Sequence, residues 1–238
     1  MYRISFFPKQ FYFCNMIRIP ILLKHIFCFV LVCLFAGDIL AQGGLQLRKN
    51  IDELNAAKSL EALKKSERNF AEMIAEGKKV KQAYYYAALS SILVAFDSEP
   101  GDVDDYCSKA DNYLKKLDSL SPDNSEIVVL FAMNASAKIK ADPKVRQAKF
   151  GPMANKFSER ALMLNAENPR AHLIKAKTVY NSPAKVGGGP KYAIKHYEKA
   201  LEKFKIFKPL ADTEPDWGEE MAKKELAECK EKLKTQTK

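Results

Sequence analysis

The sequence predicts an all-α protein, a row of antiparallel helix hairpins, on three observations. Small and bulky apolar residues recur at spacings of four and three, which hold one face of a helix. That pattern itself returns after 44 residues and then after 44 or 39 more. Finally, no convincing run alternates apolar and polar residues as a half-buried strand would.

The first 41 residues stand apart from this pattern. From Met16 the chain reads "MIRIPILLKHIFCFVLVCLFAGDILAQ". Arg18 and Lys24 are followed by the apolar run His25 to Ala36 and then by the small residue Ala41, the layout of a secretory signal. Residues 1–41 are therefore expected to be a signal peptide cleaved near Ala41, with Met16 as an alternative start. An apolar core of about a dozen residues is short for a membrane span. The whole segment 17–41 retained as an anchor is the alternative. Cleavage places the protein in the periplasm or outside the cell.

Residues 42–238 then form one domain with 35 basic and 28 acidic side chains, a net charge of +7. Thirty of the basic residues are Lys and five are Arg. Arg supplies the bidentate contacts of nucleic-acid readers, so this balance, with export, argues against nucleic acid as a partner. Solvated helix faces account for the charge. Cys107 and Cys229 are the cysteines left; both read as small buried residues.

Ahead of the hairpins, Leu60, Leu63, Phe70, Met73 and Ile74 mark a helix that stops at Gly77. Three units follow, at about 79–121, 123–165 and 167–206. Their first helices open on "VKQAYYYAALSSI" from Val80, "NSEIVVLFAMNAS" from Asn124 and "NPRAHLIKAKTVY" from Asn168, and place Ala88, Ala132 and Ala176 in register. Their second helices align Ala110, Leu114 and Leu117 with Ala154, Ser158 and Ala161, and with Ala193, Tyr197 and Ala200. A last helix, 216–236, has Asp216 and Glu219 at capping-box spacing and a charged surface suited to capping the row.

These residues resemble the tetratricopeptide repeat. "KYAIKHYEKAL" supplies its small–aromatic–alanine order, and "KADNYLKKLDSLSPDN" adds Pro122 at the matching place. The resemblance covers about residues 58–206 and implies a tetratricopeptide-like α-solenoid. "YYYAA", "NPRA", "GGG" and "PDWG" are similar to small secreted proteins of this type in Gram-negative bacteria. The units depart from the usual length of about 34 residues. The excess, "FDSEPGDVDDY", "KADPKVRQAKFG" and "NSPAKVGGG", lies between the two helices of each hairpin. It should emerge on one edge of the stack, where repeat proteins often bind.

Motifs of catalysis are weak. Gly187-Gly188-Gly189 is followed by Pro190, which has no N–H, and by Lys191-Tyr192 rather than Lys-Ser/Thr. It reads as a turn between helices. His172 and His196 have no metal-ligand companions, and the acids Asp97, Glu99, Asp102, Asp104 and Asp105 lack an EF-hand pattern. No catalytic residue, metal or cofactor is expected, and the protein is read as a binding module rather than an enzyme. The resemblance implies a concave face lined by the first helices, with Tyr85, Leu89, Val129, Met133, Leu173 and Tyr180 as its apolar stripe. Gln82, Glu126, Arg170 and Lys177 stand beside them. The partner expected there is a protein or peptide of the envelope. The alternative is a small organic acid held in an enclosed apolar cavity, as an accessory of a solute transporter would hold it. An end helix folding back to fill the face is the competing expectation, and Trp217 is expected to bury against the last hairpin. A membrane enters only if the signal segment is kept.

Overall fold

The computed structural model of the protein describes residues 43–78 and 80–236. The expected signal segment, residues 1–41, lies outside them. A compact unit runs from Gln42 to Lys238. Among the described residues the structure is helical throughout, with no strand and no helix long and apolar enough to cross a membrane.

Nine α-helices follow in order among the described residues: α1 (43–56), α2 (Leu60–Ala75), α3 (Val80–Asp97), α4 (Val103–Leu120), α5 (Ser125–Ile139), α6 (Pro143–Leu164), α7 (Pro169–Tyr180), α8 (Pro190–Ile206) and α9 (Glu219–Gln236). Helix α1 has no counterpart in the sequence reading. Its Leu47, Ile51 and Leu54 form a buried stripe at helical spacing, and Asn50 reaches the Met73 sulfur of α2. Helix α2 starts at Ser59, whose hydroxyl accepts from the Ala62 N–H. It ends at Gly77, where φ of 69° lets the Lys78 N–H return to the Met73 carbonyl.

Helices α3, α5 and α7 pair with α4, α6 and α8 respectively, and α3 also touches α5 as α5 touches α7. The residues expected to let these helices nest are buried. Ala88, Ala132 and Ala176 are fully inaccessible, as are Ala110, Leu114, Ser158, Ala161, Ala193 and Ala200. Without bulky side chains the backbones come close and dispersion contacts multiply. Tyr85 to Ile92 of α3 are buried without a break, so this helix is enclosed on every side.

Polar bonds fix the pairing. Asn124 and Asn168, 44 residues apart, cap α5 and α7 by accepting from the N–H groups of Glu126 and of Arg170 and Ala171. Asn168 also donates to the Ser125 hydroxyl, which donates to the Ala161 carbonyl, joining α5, α6 and α7 at one point. Buried Asn134 bonds the Cys107 carbonyl and Asp111 across α4.

The glycine triplet is a turn. Gly187 and Gly189 have φ of 78° and 104°, and a Cβ on Gly188 would collide with the Ser182 carbonyl. The N–H groups of Gly188 and Gly189 are spent on the carbonyls of Pro183 and Val179, so neither is free to cradle a phosphate. The excess residues of the second unit appear as a longer helix, since α6 runs for 22 residues despite the internal Pro152. Helix α9 begins at Glu219, later than the expected residue 216. Gly218 at φ 114° makes the corner instead of an Asp216 cap, because it lies against Phe204, Leu173 and Arg170 with no room for a side chain.

Candidate functional site

Of the ten residues expected on an open inner wall, most are buried beneath the chain's own C-terminal part. Tyr85, Leu89, Val129, Met133, Arg170 and Leu173 are inaccessible or nearly so, and Gln82, Glu126, Lys177 and Tyr180 are half-buried. Glu126 and Arg170 form a two-pronged ion pair with both N···O distances 2.8 Å. Arg170 also donates to the Trp217 carbonyl, and its guanidinium lies 4.5 Å from the Phe207 ring centre and 5.8 Å from that of Trp217. Trp217 donates its indole N–H to the Tyr85 hydroxyl at 3.0 Å. Trp217 therefore packs across the first helices of the units as well as near the last hairpin. Burial and the neighbouring Glu126 charge push the Tyr85 hydroxyl well above its ordinary pKa. Burial opposes the Arg170 charge, but the bonds to Glu126 outweigh it and its pKa is raised.

The same segment reaches back to the start of the domain. Tyr86 donates to the Thr213 carbonyl and Arg48 of α1 to the Asp212 carbonyl. Helix α9 then crosses α7 and α8: Glu225 accepts from Lys177 and from Tyr197, and Lys232 donates to Tyr180. The wall expected to be an open groove is thus occupied from within, because Arg170, Tyr85 and Tyr86 find partners in residues 207–218.

A cavity of about 380 Å³ remains beside Glu126, Arg170 and Phe207, and larger accessible space lies at the edge where the excess residues emerge. A cavity of about 430 Å³ is enclosed by the C-terminal ends of α3, α5 and α7, the N-terminal half of α6 and the start of α9. Leu93, Phe96, Met133, Ile139, Ala154, Ile174 and Met221 make its apolar wall. Its two lysines are committed, Lys140 to the carbonyls of Phe96 and Ser98 and Lys177 to Glu225. Of the sequence-predicted residues, Met133 and Lys177 border this cavity. Lys177 and Tyr180 border a smaller one of about 120 Å³ with Tyr197 and Glu225.

A cavity of about 800 Å³ lies on the other side of the seam between α6 and α7 and reaches α8. Lys144, Lys175, Lys185, Lys195, His196 and Tyr192 are among its lining residues. Burial first, then the charges of Lys195 and Lys175, lowers the His196 pKa to about 4, so its imidazole is neutral near pH 7. No group of His, Cys, Asp and Glu suited to a metal ion occurs among the described residues. Cys107 and Cys229 are buried and free, and burial pushes the Cys107 thiol up to about 12.

Sequence reasoning did not single out Phe96, Gln147, Gly151 or Ser182, which line these cavities. The available signal was the extra length between the helices of each hairpin.

An all-helical domain with a ligand-sized apolar chamber at one edge is the class that fold and site define. No family model and no curated protein matches the chain. Among solved structures, the HusA haemophore from Porphyromonas gingivalis is 30% identical in sequence, with a TM-score of 0.71. That match covers 78% of this chain and 92% of the haemophore chain. With that identity and coverage, the chain belongs to the same family as this haemophore.

Proposed function

We propose that the protein is a non-catalytic binder of a flat, largely apolar ligand of the haem class, held in the cavity between α5, α6 and α7. The observation that carries this reading is the cavity itself. Its volume of about 430 Å³ falls within the range of about 300–1,000 Å³ typical of small-molecule sites. Its walls are mainly aliphatic, with Phe96 and two methionines. Burial of a ring face against such walls is driven by the apolar area removed from water. Met133 and Met221 offer thioether sulfur, a donor that haem iron accepts in other proteins. The family relationship to a protein named as a haemophore supports the same ligand class.

The reading shares with the sequence-based alternative, an accessory of a solute transporter holding a small organic acid, only the small ligand in an apolar cavity. A peptide partner on the inner wall has less support, since the chain's own segment 207–218 engages Tyr85 and Arg170. The tetratricopeptide-like stack remains our reading of the architecture, supported by the three hairpins, the contacts between their first helices and the buried alanines. Export to the envelope or beyond rests on the signal layout in residues 1–41.

The test is a titration with haemin, followed by the change in ring absorbance. Ser136 lines the cavity from α5 and is half-buried. Ser136→Trp should fill the chamber and weaken binding by about tenfold or more, while the helical circular-dichroism signal stays unchanged. Equal affinity in a folded Ser136→Trp variant would reject this cavity as the site.

A further inference from the structure

The apolar and basic cavities share a wall. Gln147 and Gly151 of α6 and Ser182 after α7 border both. Gln147 Nε2 lies 2.8 Å from where a Cβ on Gly151 would stand, so the absence of that Cβ gives the carboxamide its place. The Gln147 side chain is half-buried and makes no hydrogen bond within the described protein. It stands at the seam, lining both cavities, without being fastened there.

Charge separates the two sides. Both lysines of the apolar cavity are engaged by the protein, so an acidic group pushed into it would meet no free cation. Burying a carboxylate unpaired is costly. Across the partition, Lys144, Lys185 and Lys195 have no ion-pair partner among the described residues, and the one lining acid, Glu159, is held by Lys175. With His196 neutral, the lining carries a net charge of +3 from four Lys and one Glu. A concave surface of one sign concentrates the opposite charge.

We propose that the two cavities are one amphiphile site, with the ring in the apolar chamber and its carboxylates among Lys144, Lys185 and Lys195, and with Gln147 above Gly151 as the movable partition between them. The inference rests on the ring-binding reading above and narrows it: the preferred ligand is a flat ring bearing carboxylates along one edge. Haem and metal-free porphyrins with propionate groups share this chemistry, so iron is not what the basic side recognises.

Metal-free protoporphyrin IX and its dimethyl ester separate the possibilities, each titrated by ring fluorescence into the wild-type protein and a Lys144→Gln/Lys185→Gln/Lys195→Gln variant. The diacid should bind the variant at least about tenfold more weakly than wild type, whereas the ester should bind both equally. Diacid binding to wild type should also weaken with added salt. Equal loss for diacid and ester in the variant, or no loss for either, overturns the division between the cavities while leaving ring binding in place. Failure of both rings to bind either protein overturns the ring-binding reading and this inference together.

Discussion

The inner wall takes its polar groups from α3, α5 and α7, the edge takes its own from α6, α8 and the turn after α7, and the two differ in whether those groups have partners. On the wall, Arg170 has Glu126, the Trp217 carbonyl and two aromatic faces, and Tyr85 has Trp217. At the edge, Gln147 lacks a hydrogen-bond partner and three lysines lack an acid among the described residues. Aromatic and charged residues that look like a binding surface in the sequence serve cohesion once the chain itself satisfies them. Unsatisfied groups beside an apolar cavity are the ones on which the proposed ligand site rests.

The contrast can be tested most strongly at Arg170. Arg170→Ala removes a guanidinium that is 1% exposed and leaves the half-buried Glu126 carboxylate with the Tyr85 hydroxyl in place of its ion pair. Loss of one partner of a buried pair costs about 3–5 kcal/mol, which denaturant unfolding should detect. Haemin affinity of the molecules that remain folded should be unaltered; a selective loss of affinity would assign Arg170 to the ligand after all. Gly218→Val should have the next largest effect. Its φ of 114° and the Phe204 ring atom 2.9 Å from a new Cβ suggest a cost of about 1–3 kcal/mol. A midpoint equal to wild type would show that the corner is loose. The smallest effect belongs to the edge. His196 is neutral when folded down to about pH 4, against an ordinary value of 6.5. Between those limits the unfolded chain takes up a proton that the folded chain does not, so stability falls as pH drops from about 6.5 towards 4. His196→Gln should flatten thermal midpoints across that window, with partial exposure keeping the change modest.

The all-helical fold and its buried small residues were legible because nesting is local. Ala88 and Ala132, or Ala110 and Ala154, repeat a steric requirement at a fixed interval, and such intervals survive in one dimension. Helix α1 was also legible in principle, since Leu47, Ile51 and Leu54 keep helical spacing in a stretch otherwise rich in polar residues. The fate of the wall was not. Nothing in "FKPLADTEPDWG" states which surface it will lie on; that depends on Arg170 and Tyr85, more than 30 residues away in the chain. Gln147 and Gly151 carry no motif at all. Their significance comes from the divergence of α6 and α7, which spacing does not encode. The extra length within each hairpin was the one feature that pointed to the edge where the proposed cavity lies.

The bonds from residues 212–217 to Arg48, Tyr86 and Arg170 have a further consequence. A row of hairpins that touch only their neighbours can fray from either end, and its loss of structure is gradual. Here a single strap joins the first helix to the third hairpin, so neither terminus can peel away alone. Melting should therefore be one sharp, all-or-none event, and cutting the strap should broaden it.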